Sequence, residues 1–192
     1  MAEALRVGAA SRPFPGETEN GDAWTIQRHG DRTRLTVIDG LGHGPDAAAA
    51  AGRAVAALEG RPELDPVRAL ELCHQALQGS RGAAMAVALV DPAAGTLTYA
   101  GVGNVEARLV QNGAEERLIS YRGIVGSALP RPRAFERPLA APWLLLVHSD
   151  GVSARAKLPD DALAAEAGSV AAAVLEGWAR QSDDATVVVL KG

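Results

Sequence analysis

A single cysteine, Cys73, leaves no partner for an internal disulfide and no basis for a cysteine-rich zinc site. It stands among apolar residues in a helix-like stretch, which reads as a core thiol and not as a nucleophile. Aromatic residues are scarce at 4%, although 47% of the chain is hydrophobic. Much of that fraction is alanine, so the core is expected to consist of small aliphatics, with Trp24, Trp143 and Trp178 as its rare large pieces. Cations are not in excess. A net charge of -4 argues against a nucleic-acid surface, which needs clustered positive charge to neutralise phosphates. No apolar run approaches the roughly 20 residues of a membrane span, and no signal peptide opens the chain. A cytoplasmic location is therefore expected, with no nucleic acid and no membrane as partners. Internal repeats and low-complexity linkers are absent as well. The 192 residues suit one domain, 1–192.

What is present is a series of short strand signals and three helical stretches. Segments 5–10, 22–28 and 33–39 read as strands. Pro45 and Asp46 suit the first turn of a helix running to Leu58 and closed by Gly60. Asp65 and Pro66 open a second helix, with Val67, Leu70, Cys73 or His74, and Leu77 on one face and Gly79 as its stop. Strands over 83–90, 96–101 and 105–110 follow with short turns, which implies antiparallel hairpins and not parallel crossovers. The apolar run 143–148 and the segment 186–190 read as buried central strands. Segment 161–179 has helical composition, divided near Gly168-Ser169, and 123–133 reads as a loop that could serve as a flap. The order suits an α+β sandwich of antiparallel sheets covered by helices.

The chemistry is carried by aspartates. Asp39 ends an apolar strand and begins Asp39-Gly40-Leu41-Gly42-His43-Gly44. Asn20-Gly21-Asp22, Ser149-Asp150-Gly151 and Asp183-Asp184 add further acids beside strand-like runs. Magnesium and manganese are hard cations that prefer oxygen ligands. A carboxylate at a strand end is held by the ladder behind it, and a neighbouring glycine admits a carbonyl or water to the ion. Each acid alone has a plain alternative: Asp-Gly is a common turn pair, Asp22 a surface acid, Asp183-Asp184 a strand entry. Their joint order is what points to a site for a pair of Mg²⁺ or Mn²⁺ ions. His43 is a candidate proton donor or phosphate contact. His148 reads as core, His29 as exposed and His74 as a helix residue near the core edge. No pair of histidines has the spacing of a zinc-binding helix.

Taken together, Asn-Gly-Asp, Asp-Gly-Leu-Gly-His-Gly, Gly-Ala-Ala-Met, Gly-Val-Gly-Asn, Ser-Asp-Gly-Val and Asp-Asp-Ala-Thr-Val-Val resemble the PPM-type metal-dependent serine/threonine phosphatases. Within these the chain is most similar to the small bacterial branch of SpoIIE, RsbU and RsbX, and in size to the RsbX type. The resemblance spans about residues 17 to 190. It implies a PPM-like αββα sandwich with Asp39 bridging two Mn²⁺ or Mg²⁺ ions and the Gly40 carbonyl completing one shell. It further implies Asp150 and Asp183 on one ion, Asp22 on the other, and Asp184 beside them. By the same resemblance the substrate would be phosphoserine or phosphothreonine on STAS-domain stressosome proteins, and the enzyme a monomer. Two positions depart from the pattern. Gly21 stands where many relatives have an acid, and Asn104 where larger members have an aspartate that helps a third metal. No arginine obviously matches the phosphate-clamping arginine of eukaryotic members; Arg12 is the nearest by position.

Two other readings compete. Gly40, Gly42 and Gly44 give G-x-G-x-G and not the dinucleotide fingerprint G-x-G-x-x-G, and Asp39 and Asp46 would repel a pyrophosphate. A catalytically weak pseudophosphatase that binds a regulatory protein through the same surface is the other alternative, for which Gly21 and Asn104 leave room. Arg131, Arg133 and Arg137 form a basic stretch near Phe135 that reads as a solvated face, or as a contact for an acidic partner.

Overall fold

A computed structural model describes residues 5–192. Eleven strands and three helices follow in the order β1 (Arg6–Arg12), β2 (Asp22–His29), β3 (Arg32–Gly40), α1 (Pro45–Leu58), α2 (Pro66–Ala76), β4 (Ala83–Asp91), β5 (Thr96–Val102), β6 (Glu106–Gln111), β7 (Ala114–Leu118), β8 (Ser120–Tyr121), β9 (Phe135–Pro138), β10 (Trp143–His148), α3 (Ala167–Trp178) and β11 (Ala185–Lys191). One sheet has the order β1-β11-β10-β6-β7, the other β2-β3-β4-β5-β8, with β9 pairing β5. The pairings are antiparallel except for the short β5–β8 contact.

The two sheets stack face to face. Successive strand residues point to opposite faces, so one set fills the space between the sheets and the other meets helices. Leu35, Val37, Ala84, Ala86, Leu97, Leu145, Val147, Val188 and Leu190 share the inter-sheet core. The alternate residues Ile38, Met85, Val87 and Ala100 pack under α1 and α2. Leu144, Leu146, Val187 and Val189 pack under α3. The result is the expected αββα sandwich. Alanines at 47, 50, 51 and 54 let α1 lie close to its sheet. Asp65 caps α2 by accepting from the Arg68 N–H at 3.0 Å, as its position in the sequence predicts.

Several expectations are corrected. Trp24 is not core: it is 39% exposed, whereas Trp143 is buried at 5%. Strands β7, β8 and β9 lie where the sequence shows no strand signal, because short edge strands need one partner and no apolar face. Helix α3 occupies only part of 161–179. Gly168 and Ser169 fall in its first turn instead of dividing two helices, and the preceding residues form turns. Those turns are held by the buried Lys191, whose ammonium donates to the Ala162 carbonyl at 2.7 Å. The loop expected to act as a flap is pinned near its start. Val125 bridges Ala83, and the Gly126 N–H donates to His74 Nδ1 at 2.9 Å.

Candidate metal centre

The alternation that fills the inter-sheet core also delivers the acids. Leu35 and Val37 face the opposite sheet, so Asp39, next in phase, faces it as well, at the strand end. Ile26 packs against the same core, and Asp22 is in phase with it at the start of β2. Asp22 and Asp39 are direct cross-strand partners. From the facing sheet come Asp150, just beyond β10, and Asp183 and Asp184, just before β11. The sequence-predicted acids, 22, 39, 150, 183 and 184, thus meet at one end of the sandwich, two from one sheet and three from the other.

Hydrogen bonds hold the group in place. Ser149 Oγ donates to Asp22 Oδ2 at 2.6 Å and accepts from the Thr186 N–H at 3.0 Å. The Asp150 N–H lies 3.5 Å from Asp39 Oδ2, a long contact. Asp184 Oδ1 accepts from the Phe14 N–H at 2.8 Å, and the Asp184 N–H donates to Asp183 Oδ1 at 3.0 Å. Asn104 Nδ2 donates to Asp150 Oδ2. Gly40 is buried beside Asp39, and its N–H donates to the Gly21 carbonyl at 3.0 Å, which ties the two acid-bearing turns together.

Like charges directly opposite one another destabilise a sheet, and burial adds to this. Burial, then the neighbouring Asp22 and Asp150 charges, push the Asp39 carboxyl up to about 9. Burial also pushes Asp22 up to about 7, against the pull of its bond to Ser149. Asp150 is raised by burial and by Asp183, with Arg180 opposing. All the donors are hard oxygens, and their charges repel one another at the end of an apolar layer. Asp184 Oδ2 is buried with no hydrogen-bond partner. A site of this kind fits hard divalent cations. No three acidic, histidine or cysteine side chains among the described residues stand close enough to form a ready-made cage.

Two glycines are required by close approach. A Cβ at Gly21 would lie 2.6 Å from Asp184 Oδ2 and 2.8 Å from the Ala47 methyl, so the position has no room for a side chain while Asp184 stays in place. A Cβ at Gly151 would overlap the Asp184 carbonyl.

His43 sits at the rim and not among the carboxylates. Its ring stacks on Phe14 at 4.2 Å between centroids, and its Nδ1 lies 3.2 Å from Glu17 Oε1. Arg12 bonds the Pro13 and Arg180 carbonyls. His148 is fully buried on the outer face of its sheet, as expected, and burial lowers its basicity. Cys73 is buried under α1, and its thiol is pushed up to about 12 by burial. Sequence reasoning assigned no role to Ser149, Phe14, Glu17 or Arg180. Only Ser149 carried a usable signal, as the in-phase residue after β10.

A family model described as stage II sporulation protein E, SpoIIE, matches residues 29–192. That span contains every candidate residue except Asp22. A solved chain from work on the bacterial stressosome, described as a modular system adapted to control secondary messenger signalling, superposes with a TM-score of 0.92. It is 33% identical, over 98% of this chain and 100% of that one. RsbX in complex with magnesium gives 0.87 at 19% identity, covering 100% and 96%. The PP2C phosphatase domain of SpoIIE from Bacillus subtilis, with a fragment of its regulatory domain, gives 0.83 at 17%, covering 100% and 64%.

Proposed function

The chain belongs to the SpoIIE family of PPM-type phosphatases, and from that membership we propose that it is a Mn²⁺- or Mg²⁺-dependent phosphatase of a phosphorylated STAS-domain stressosome protein. The observation that carries the metal-dependent reading is the pairing of Asp22 with Asp39 across β2 and β3, opposite Asp150 and Asp183 from the other sheet. The stressosome reading is supported by the 33% identical chain from that system.

Asp22, Asp39, Asp150, Asp183 and the Gly40 carbonyl would hold two divalent cations, with Asp184 beside them. The bound cations would supply Lewis acidity toward the phosphoryl oxygens and a nucleophile from water. The protein's part is to hold and orient. Ser149 fixes the Asp22 carboxylate, and Asn104 fixes Asp150. His43, stacked on the Phe14 ring and beside Glu17, would donate a proton to the departing serine or threonine oxygen. A covalent route through cysteine is disfavoured, because Cys73 is buried and its thiol stays protonated. The protein acts as a cytoplasmic monomer in this reading.

The test is phosphate release from phosphorylated STAS-domain proteins with Mn²⁺, with Mg²⁺ and with chelator. Metal-dependent release supports the proposal. Bound metal, seen by calorimetry, with no release from any phosphoprotein would instead assign a pseudophosphatase, the reading for which Gly21 and Asn104 leave room.

A further inference from the structure

The free edge of β2 leads directly out of the candidate centre. Among the described residues, strand β2 ends its sheet and pairs only with β3. Among the described residues, no main-chain hydrogen bond reaches its other side. Natural proteins usually blunt such an edge with proline, lysine, a bulge or a covering segment. The sequence Asp22–His29, DAWTIQRH, contains no proline or lysine, and its register against β3 is continuous with no bulge. It therefore presents an open row of backbone donors and acceptors from Trp24 onward, beginning just past Asp22, whose own N–H is taken by Asn20 Oδ1 at 2.9 Å.

Trp24 adds a second, independent feature. In a chain with 4% aromatics it is one of two large hydrophobic side chains left exposed among the described residues, at 39%. It lies on the same strand face as Asp22 and two residues on, so the Cα atoms are about 7 Å apart. Arg28 follows on that face near the far end of the strand, exposed and about 20 Å from Asp22. The face thus runs acid cluster, indole, the half-buried Ile26 and then a cation.

We propose that the β2 edge is a strand-addition site for the extended segment that carries the substrate's phosphoserine. The phosphoserine would lie at Asp22, an apolar side chain two residues away would lie on Trp24, and an acidic residue farther along would face Arg28. Main-chain pairing gives affinity in this mode, and alternate side chains give selectivity. The occupant is a phosphoprotein segment and not a second copy of this chain, because the edge starts at the catalytic acids and a dimer there would cover them. The inference rests on the phosphatase reading for the identity of its ligand.

The test uses fluorescent phosphoserine peptides of about twelve residues, extended in design. One carries leucine two residues to either side of the phosphoserine and an acidic residue farther along. A second has glycine for the leucines. A third repeats the first with alternate backbone N-methyl groups. Hydrolysis with Mn²⁺ and binding by anisotropy are both measured. The leucine peptide is expected to exceed the glycine peptide at least about tenfold in kcat/KM and to lose that advantage on N-methylation. The leucine-to-glycine ratio is expected to collapse toward one in Trp24→Ala. The N-methyl comparison uses the unaltered protein, so it stands even where that variant folds poorly. Equal handling of all three peptides by an active enzyme overturns the inference and leaves the phosphatase reading intact. Selective binding with no hydrolysis of any peptide sinks the phosphatase reading and leaves the edge site standing. A concentration-dependent dimer broken by Trp24→Ala overturns the proposal in favour of self-association.

Discussion

Replacing Asp39 with asparagine should make the metal-free protein more stable and the enzyme inactive. The asparagine keeps the shape and removes the charge. The Asp39 carboxyl rises from 3.8 to about 9 in the fold, chiefly through burial and then through Asp22 and Asp150. At pH 7 the unfolded chain has this group ionised and the fold prefers it protonated. Taking up that proton spans about 3 pH units, or about 4 kcal/mol at roughly 1.4 kcal/mol per unit. Because Asp22 and Asp150 share the field, part of the relief goes to them. A net gain of about 2–4 kcal/mol for Asp39→Asn is a reasonable expectation. For a chain of this length that is roughly 5–15 °C in Tm.

The sign of the pH dependence follows. An acid whose pKa is raised in the fold leaves stability intact below the unfolded value and erodes it as pH climbs toward the folded one. In chelator, the wild-type Tm should therefore fall between pH 4 and pH 9. The gap to Asp39→Asn should be small near pH 4 and widest at pH 8–9. Thermal melts monitored by circular dichroism across that range, paired with phosphatase assays in Mn²⁺, provide the measurement. Activity should drop at least about 100-fold, as a lost metal ligand costs no less than a lost supporting contact. An Asp39→Asn protein that melts at or below the wild type at pH 8 in chelator would refute the electrostatic account.

Three further outcomes follow from the same geometry. Adding Mn²⁺ or Mg²⁺ should raise the wild-type Tm and flatten its fall with pH, since the cations offset the repulsion that burial amplifies; melts at fixed pH with and without metal check this. Gly151→Ala should cost about 2–4 kcal/mol in urea unfolding, because the new methyl would overlap the Asp184 main chain. Cys73 should resist alkylation in the native state and react on unfolding, and Cys73→Ala should keep full phosphatase activity while losing about 1 kcal/mol or less of the thiol's packing beside the Ala54 carbonyl.

The acids were legible in the sequence for a physical reason. A strand that alternates into an apolar layer fixes the face of the next in-phase residue, so Leu35 and Val37 already point Asp39 toward the facing sheet. What the sequence did not show are features supplied by tertiary contact. The Phe14 N–H reaches Asp184 across the whole chain, and no local pattern encodes that bond. Trp24 looks like core by its hydrophobicity and is exposed because its strand is an edge, which only the sheet order reveals. Strands β7 and β9 carry AEERL and FERP, too polar to announce a strand, and pair because partners stand beside them. Segment 161–165 has helical composition but is drawn into turns, part of which the buried Lys191 ammonium holds from β11.

One periodicity therefore serves both fold and site. The inner faces of β3, β10 and β11 carry aliphatic residues along their length, β2 adds Ile26, and oxygens stand at one end: Asp22, Asp39, Ser149, Thr186 and Asp184. A slip of β2 by one residue would send Asp22 toward the helices and take one of the five acids out of the cluster. That register is fixed by the ladder from Asp22–Asp39 to His29–Arg32 and by the Gly40 to Gly21 bond beyond it. The acids come from both sheets, so their repulsion acts across the sandwich and tends to part its layers at that end. A cation shared between Asp39 and Asp150 would reverse that force and join the sheets where the hydrophobic core stops. Stability and catalysis then rise together with metal, and move apart when a carboxylate is removed.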